Sequence, residues 1–149
     1  MANKKKVRVA IIGVGNCASS LVQGVQFYKN AKNDDVIPGI MHPQLGDYHI
    51  GDIEFTMAID INATKVGKDL SEAIFAEPNN TYKFCDVPHL NVPVVRGMTH
   101  DGLGKYLSQV IEKAPGSTAD IVRLLKETKT EVVISFLPVG SEMATKWYV

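Results

Sequence analysis

VRVAIIGVGNCA, residues 7–18, joins a short apolar run to a glycine-containing turn and decides the fold. Its first six residues are almost all apolar, which indicates a strand buried on both faces, as in a parallel sheet covered by helices. The turn has the pattern GxGxxA, formed by Gly13, Gly15 and Ala18. In such a turn the first glycine permits the bend, the second lets a diphosphate approach the backbone, and the third small residue lets helix and strand pack closely. The motif predicts dinucleotide binding; a glycine turn with a purely structural role is the alternative.

Asn16 and Cys17 begin the helix that follows the turn. The first N–H groups of a helix have no partner within it and carry partial positive charge, so they form a natural site for phosphate groups. We therefore assign Gly13, Gly15 and residues 16–18 to a phosphate-binding loop. For Cys17 we expect a small side chain beside the cofactor, although a thiol at a helix N-terminus can also be reactive.

Strand-like apolar runs alternate with segments of helical period along the rest of the chain. The further predicted strands are Glu54–Asp60, Val92–Arg96 and Glu131–Leu137, and Pro93 places the second of them at a sheet edge. The predicted helices lie within Ala18–Tyr28, Val66–Ile74, Leu103–Ala114, Ile121–Thr128 and Met143–Val149. This alternation predicts an α/β, Rossmann-like, doubly wound parallel sheet. Nucleotide folds of this kind have about six strands, so we expect an incomplete one here.

Local signals mark helix ends and loops. Ser117, with Asp120 three residues later, has the form of a capping box, and Ser141 is the expected cap of the last helix. Asn30–Asp52 and Glu77–Pro93 have no clear period. Loops of this length inside a compact domain are usually functional or packed against another part of the protein.

Asp60 ends the second predicted strand, where dinucleotide-binding folds place an acid that accepts hydrogen bonds from the adenosine ribose. It lies 47 residues after Gly13, whereas about 20–30 is usual, and the Asn30–Asp52 insertion accounts for the excess. An acid here with no arginine directly after it favours NAD over NADP. The alternative is a strand-end residue that caps the helix near Val66.

The loop Leu137–Gly140 follows the last predicted strand and is flanked by two serines, Ser135 and Ser141. Open α/β sheets bind ligands at the carboxyl ends of their strands. We therefore expect Ser135 and Pro138 to lie along the nicotinamide half of the cofactor.

Composition excludes several other classes of function. Sixteen basic and sixteen acidic residues give a formal net charge of zero, which argues against nucleic-acid binding. No apolar run is long enough to cross a bilayer, so we predict a cytoplasmic protein without a membrane role. The residues of metal-binding type have no ligand spacing, and we predict no metal; they are His42, His49, Cys85, Asp86, His89 and His100.

Several sequence blocks together resemble one family over the length of the chain. They are VRVAIIGVGNCASSLVQGVQFY, PGIMH, DLSEAIF, NNT, RGMTHDGLGKY and SFLPVGSE. They resemble the N-terminal part of the myo-inositol-1-phosphate synthase (inositol-3-phosphate synthase) family, especially its actinobacterial-like branch. The resemblance implies an NAD-dependent isomerase that converts D-glucose 6-phosphate to 1D-myo-inositol 3-phosphate. NAD oxidises the sugar, an aldol cyclisation follows, and the NADH reduces the ring ketone, so that no net redox change occurs.

The resemblance also implies cofactor contacts at Asp69, Thr128 and Tyr148, although Thr128 stands where that branch has alanine. An exposed helix residue is the alternative for Asp69, and a core aromatic for Tyr148. It further implies that residues 1–149 are a partial NAD-binding Rossmann domain, that catalytic residues lie in a later domain, and that the enzyme is a homotetramer. Two alternatives stay open: an NAD-dependent dehydrogenase of another family, and a non-catalytic NAD-binding module.

Overall fold

A computed structural model describes residues 6–149. The helices are α1 (Asn16–Tyr28), α2 (Leu70–Ala73), α3 (Gly104–Leu107), α4 (Ile121–Glu127) and α5 (Glu142–Tyr148). The strands are β1 (Val7–Ile12), β2 (Gln44–Leu45), β3 (Tyr48–His49), β4 (Ile53–Asp60), β5 (Val94–Arg96) and β6 (Val132–Ser135). A 3₁₀ turn covers Ile50–Asp52, so the predicted irregular stretch Asn30–Asp52 contains a small antiparallel hairpin, β2–β3, and this turn.

Four strands form a parallel sheet in the order β5-β4-β1-β6. This order equals the first four positions of the six-strand order 3-2-1-4-5-6 of doubly wound nucleotide-binding folds. The predicted incomplete Rossmann-like fold is therefore confirmed. The strand containing residues 94–96 lies at one edge, as Pro93 predicted, because proline has no N–H to donate to a neighbouring strand.

Both faces of β1 are buried, which explains its continuous apolar sequence. Val9 and Ile11 pack on one face with α1 and α2, whereas Ala10 and Ile12 pack on the other with Ile121 of α4. Ala18 is completely buried, which fits its expected role as the small residue that lets α1 approach the sheet. The two layers of helices fix the glycine turn at the carboxyl edge of the sheet.

Two predicted helices are shorter than their apolar stripes. Of Leu103–Ala114 only α3 is helical, and hydrogen-bonded turns follow it. Tyr106 and Val110 are 77% and 67% exposed, so this stripe lacks the packing that stabilises most helices. Within Val66–Ile74 only α2 is helical, and the residues before it form turns.

The predicted capping box before α4 is wrong in one respect. The cap is Asp120 itself, whose carboxylate accepts a hydrogen bond of 3.0 Å from the N–H of Arg123. Ser117 lies outside the helix, next to Gly116, whose φ is +94°. An aspartate cap is as favourable as a serine cap, so the helix begins at Ile121 without Ser117.

Candidate functional site

A cavity of about 480 Å³ opens at the carboxyl ends of β1, β4 and β6. Its polar side is formed by the glycine turn and by Asp60, and an apolar wall that includes Leu107 and Ile111 lies in the segment after β5. The strand order reverses at β1, because β4 and β5 lie on one side of it and β6 lies on the other. Doubly wound folds bind their ligands in the crevice at such a reversal of strand order.

The two glycines of the turn serve different purposes. Gly13 has φ +90°, and a Cβ atom there would lie 3.0 Å from the carbonyl oxygen of Phe136. Gly15 has an ordinary extended backbone, with φ −92° and ψ −160°, and a Cβ atom there would meet nothing within 4 Å. Gly13 is therefore needed for the bend and for close contact with the end of β6, whereas Gly15 leaves open space beside the cavity.

The N-terminus of α1 presents backbone donors at the same place. Ser19 is the first residue of α1 whose N–H bonds to the turn, through the carbonyl of Gly15 at 3.0 Å. Within residues 6–149, the N–H groups of Asn16, Cys17 and Ala18 have no hydrogen-bond acceptor. The thirteen residues of α1 add the partial positive charge of its N-terminus, so these groups can hold a phosphate oxygen.

Asp60 binds the glycine turn directly. Its Oδ2 accepts a hydrogen bond of 2.7 Å from the N–H of Val14, and its Oδ1 accepts from Ile61 and Asn62 at 2.7 and 2.9 Å. The cap of the following turn is instead Asn62, whose side chain accepts from the N–H of Thr64. The carboxylate therefore orients the turn and lies at the cavity, where the ribose acid of a dinucleotide site is expected.

The irregular segment Glu77–Pro93 forms part of the site. The sequence alone did not predict where this segment lies. Oδ1 of Asn16 accepts hydrogen bonds from the N–H groups of Asn80 and Thr81 at 2.9 and 3.1 Å, and its Nδ2 donates to Asn80 Oδ1. These bonds hold the segment against the start of α1. The only signal in the sequence was the run Asn79-Asn80-Thr81 inside a stretch without period.

Lys65 is a second residue of the site that sequence reasoning missed. Its side chain is only 4% exposed and lines the cavity, and Nζ donates to the carbonyl oxygen of Val14 and to Oδ1 of Asn79, both at 2.7 Å. Burial lowers the pKa of the ammonium group, and the nearby charge of Asp60 partly offsets that effect. No local pattern distinguishes it from the exposed lysine three residues later, Lys68.

Tyr148 and Pro138, two of the residues predicted to contact the cofactor, line the cavity. The hydroxyl oxygen of Tyr148 accepts a hydrogen bond of 2.8 Å from the N–H of Met98. Burial raises the pKa of this phenol, so it remains protonated, and its O–H donates to the carbonyl oxygen of Met98 at 3.4 Å. Ser135 and Cys17, by contrast, are exposed and do not line the cavity.

The structure places two predicted cofactor contacts away from the cavity. Asp69 caps α2, and its carboxylate accepts hydrogen bonds from Ser71, Leu90 and Val92. Thr128 ends α4 and its hydroxyl donates to Leu124, directly before β6 and so at the amino edge of the sheet. The glycine turn lies at the opposite edge, and Thr128 is not among the residues that line the cavity.

The expected cap of α5 is also different. Ser141 makes no capping bond, and its hydroxyl oxygen is buried without a hydrogen-bond partner in the described part of the chain. Asp101 replaces it: its two carboxylate oxygens accept from the N–H groups of Met143 and Ala144 at 2.9 and 2.8 Å. A residue 42 positions away thus holds the helix that carries Tyr148.

We expect Asp101→Ala to loosen α5, because two N–H groups of its first turn lose their acceptor. The backbone bonds from Met143 and Ala144 lower the pKa of Asp101, so its stabilising effect is present above the usual pKa of aspartate and disappears as the pH falls through the lowered value. Trp147, the single tryptophan, lies in α5 and reports the change by fluorescence during denaturation. An unchanged Trp147 transition, equal to that of the exposed-site variant Asp34→Ala, would contradict the assignment.

Comparison with known proteins gives close sequence relatives. Inositol-3-phosphate synthase of Mycolicibacterium smegmatis is 55% identical over 143 residues, which is 96% of this chain and 39% of that protein. The protein of the same name from Corynebacterium glutamicum is 50% identical over 142 residues, with 39% of its length covered. The chain is homologous to the inositol-3-phosphate synthases. This confirms the resemblance, and the chain spans about two fifths of the length of these synthases.

Solved structures agree with the fold. A crystal structure of Ari2 matches with a TM-score of 0.76 at 31% identity, over 97% of this chain and 41% of that one. A myo-inositol-1-phosphate synthase-related protein from Thermotoga maritima matches with a TM-score of 0.65 at 22% identity, over 89% of this chain and 34% of that one, which supports the fold alone. No family model matches the sequence.

Residues 6–149 contain neither a membrane-crossing helix nor a metal-binding cluster. No helix in this range has both the length and the apolar character to cross a membrane. No group of three or more His, Cys, Asp or Glu residues in the same range is arranged to hold a metal ion.

Proposed function

We propose that this chain binds NAD and is the coenzyme-binding part of an inositol-3-phosphate synthase that converts D-glucose 6-phosphate to 1D-myo-inositol 3-phosphate. The observation that carries the proposal is the open glycine turn, whose backbone donors find no acceptor within residues 6–149 and lie next to an acid at the reversal of strand order. The 50–55% identity to proteins named inositol-3-phosphate synthase favours this enzyme over a dehydrogenase of another family. The predicted homotetramer and cytoplasmic location stay part of the proposal.

The residues present fit NAD. Gly15 leaves room for a diphosphate, residues 16–18 offer it N–H groups, and Asp60 is an acceptor for the ribose hydroxyls. Pro138 and Tyr148 lie on the part of the cavity that would face the nicotinamide. Held by these residues, NAD would supply a reversible hydride acceptor, so that a ring closure would need no external oxidant.

The protein residues bind and orient the coenzyme and exclude water from one side of it. The half-buried Tyr148 lines the cavity, and its hydroxyl keeps its proton, which it donates to the carbonyl oxygen of Met98 at 3.4 Å. The chain covers 39% of its relatives, and we propose that it does not turn over glucose 6-phosphate alone. A non-catalytic NAD-binding module would also show no turnover. Synthase activity is therefore tested on the full-length enzyme of which this chain is proposed to be a part. Formation of inositol phosphate without net NADH supports the synthase, and net formation of NADH supports a dehydrogenase.

We expect the 149-residue chain to bind NAD at least ten times more tightly than NADP, measured by isothermal titration calorimetry. A 2′-phosphate would lie next to the carboxylate of Asp60, and a tenfold difference in affinity needs only about 1.4 kcal/mol of repulsion. Equal binding of both coenzymes would contradict the role of Asp60. Absence of any heat or thermal shift with NAD at millimolar concentration would contradict the proposed function itself.

A further inference from the structure

We propose that Lys65, together with Asn79, is a positioning residue that prepares the glycine turn for a diphosphate. The inference rests on the proposed function, since it concerns the same coenzyme site. It goes beyond the glycine motif because neither residue belongs to that motif. The ligand class that these two residues favour is an adenosine diphosphate ester, such as ADP-ribose, rather than adenosine or another nucleoside without phosphate.

The peptide groups around Val14 are held from both sides. Asp60 accepts from the N–H of Val14 at 2.7 Å, and the carbonyl oxygen of Val14 accepts from Lys65 Nζ at 2.7 Å and from Asn79 Nδ2 at 3.1 Å. Val14 is the residue between the two glycines, where the backbone would otherwise have the greatest conformational freedom. Three side chains from β4 and the segments after it therefore fix the conformation of the turn.

This arrangement determines where the next N–H group points. A trans peptide is planar, so its C=O and N–H groups point in opposite directions. Lys65 and Asn79 hold the carbonyl of Val14 on one side, and the N–H of Gly15 consequently points to the other. That N–H has no acceptor in the described residues, and Gly15 lines the cavity. Lys65 thus aims a free backbone donor before any ligand arrives.

The charge of Lys65 acts in the same direction. A buried ammonium group is costly unless it has strong partners, and here its partners are a carbonyl and an amide oxygen. Asp60 is the nearby charged group that acts on it. Because Lys65 lines the same cavity, a diphosphate there would be attracted by its charge. A neutral ligand would gain no such attraction.

The test compares ADP-ribose with adenosine on the 149-residue chain by calorimetry or by ligand-observed NMR. We expect Lys65→Met to weaken ADP-ribose at least tenfold and to change adenosine less than twofold. The matched control is Lys68→Met, the same change at an exposed lysine three positions away, which should leave both affinities unchanged. A purely structural role for Lys65 would weaken both ligands together.

Three outcomes distinguish the two proposals. If wild-type protein binds ADP-ribose and Lys65→Met binds it equally well, or loses both ligands in parallel, the positioning role is wrong and NAD binding stands. If wild-type protein binds neither NAD nor ADP-ribose, the proposed function fails. Should Lys65→Met not fold, Asn79→Ala carries the test, because it removes the other donor to Val14 and one partner of Lys65, and the same selective loss of ADP-ribose is expected.

Discussion

Replacing Gly15 with valine is expected to abolish NAD binding while leaving the fold intact. The backbone at this position is in the extended region that any residue adopts, and an added Cβ meets no atom within 4 Å. The valine side chain would therefore occupy the open space beside the N–H groups of residues 16–18, where the diphosphate is proposed to bind. We expect the dissociation constant to rise at least 100-fold, which corresponds to about 2.7 kcal/mol, with an unchanged thermal midpoint.

The matched control for this experiment is Gly24→Val. Gly24 lies on the same helix, its added Cβ also meets nothing within 4 Å, and it is two turns away from the glycine turn. Valine is a somewhat better helix residue than glycine, so stability should stay the same or rise slightly. Gly13 cannot serve for this comparison, because a side chain added there would have a strained positive φ and would press against the backbone of Phe136, so that the fold would change as well. Normal NAD affinity in Gly15→Val would mean that the coenzyme does not lie against the turn.

The sequence predicted the central part of the fold well, because the signals there are local. Val7–Ile12 was predicted with its observed bounds, since a strand covered on both faces must be apolar along its whole length. The GxGxxA spacing predicted the turn and the start of α1 for the same reason, because Gly13 and Ala18 each answer a local steric need. The position of Asp60 followed from the end of β4, despite its unusual distance from Gly13.

What the sequence did not predict depends on contacts between distant residues. Lys65, which follows β4, donates a hydrogen bond to Val14 from 51 positions away along the chain. Asn79, which follows α2, donates to the same residue from 65 positions away. Asp101 caps a helix 42 residues away, although Ser141 has the better local position. Periodicity describes neighbours along the chain, so pairings of this kind become visible only when the topology is known.

The resemblance assigns Asp69 to the coenzyme, whereas the structure gives it a different set of contacts. Its side chain is 6% exposed and accepts bonds from the N–H groups of Ser71, Leu90 and Val92 at 2.8–3.0 Å and from the Ser71 hydroxyl at 2.6 Å. Leu90 and Val92 lie at the end of the segment whose other end contacts Asn16. Asp69 therefore anchors, from outside the cavity, the segment that supports the site.

We expect Asp69→Ala to lower the free energy of unfolding by about 3 kcal/mol, because several buried donors lose their acceptor and an unsatisfied buried donor costs about 1–3 kcal/mol. Burial opposes ionisation of Asp69, but the hydrogen bonds from Ser71, Leu90 and Val92 outweigh it and lower the pKa. The stabilisation is thus present above the usual pKa of aspartate and is lost as the pH falls through the lowered value, so the difference from wild type should shrink in acid.

Urea denaturation at several pH values measures this effect, and Asp86→Ala is the control. Asp86 lies on the same segment, but it is exposed and its carboxylate forms a surface ion pair with Lys83 at 2.6 Å, so its loss should have little effect on stability. A variant at Asp69 that unfolds like wild type and yet loses NAD would reverse the assignment. In that case the carboxylate contacts the coenzyme, and the segment after α2 must move for it to do so. A variant that is less stable but binds NAD normally at urea concentrations below its unfolding transition would instead establish Asp69 as an anchor. The burial of its carboxylate among backbone donors already favours this outcome.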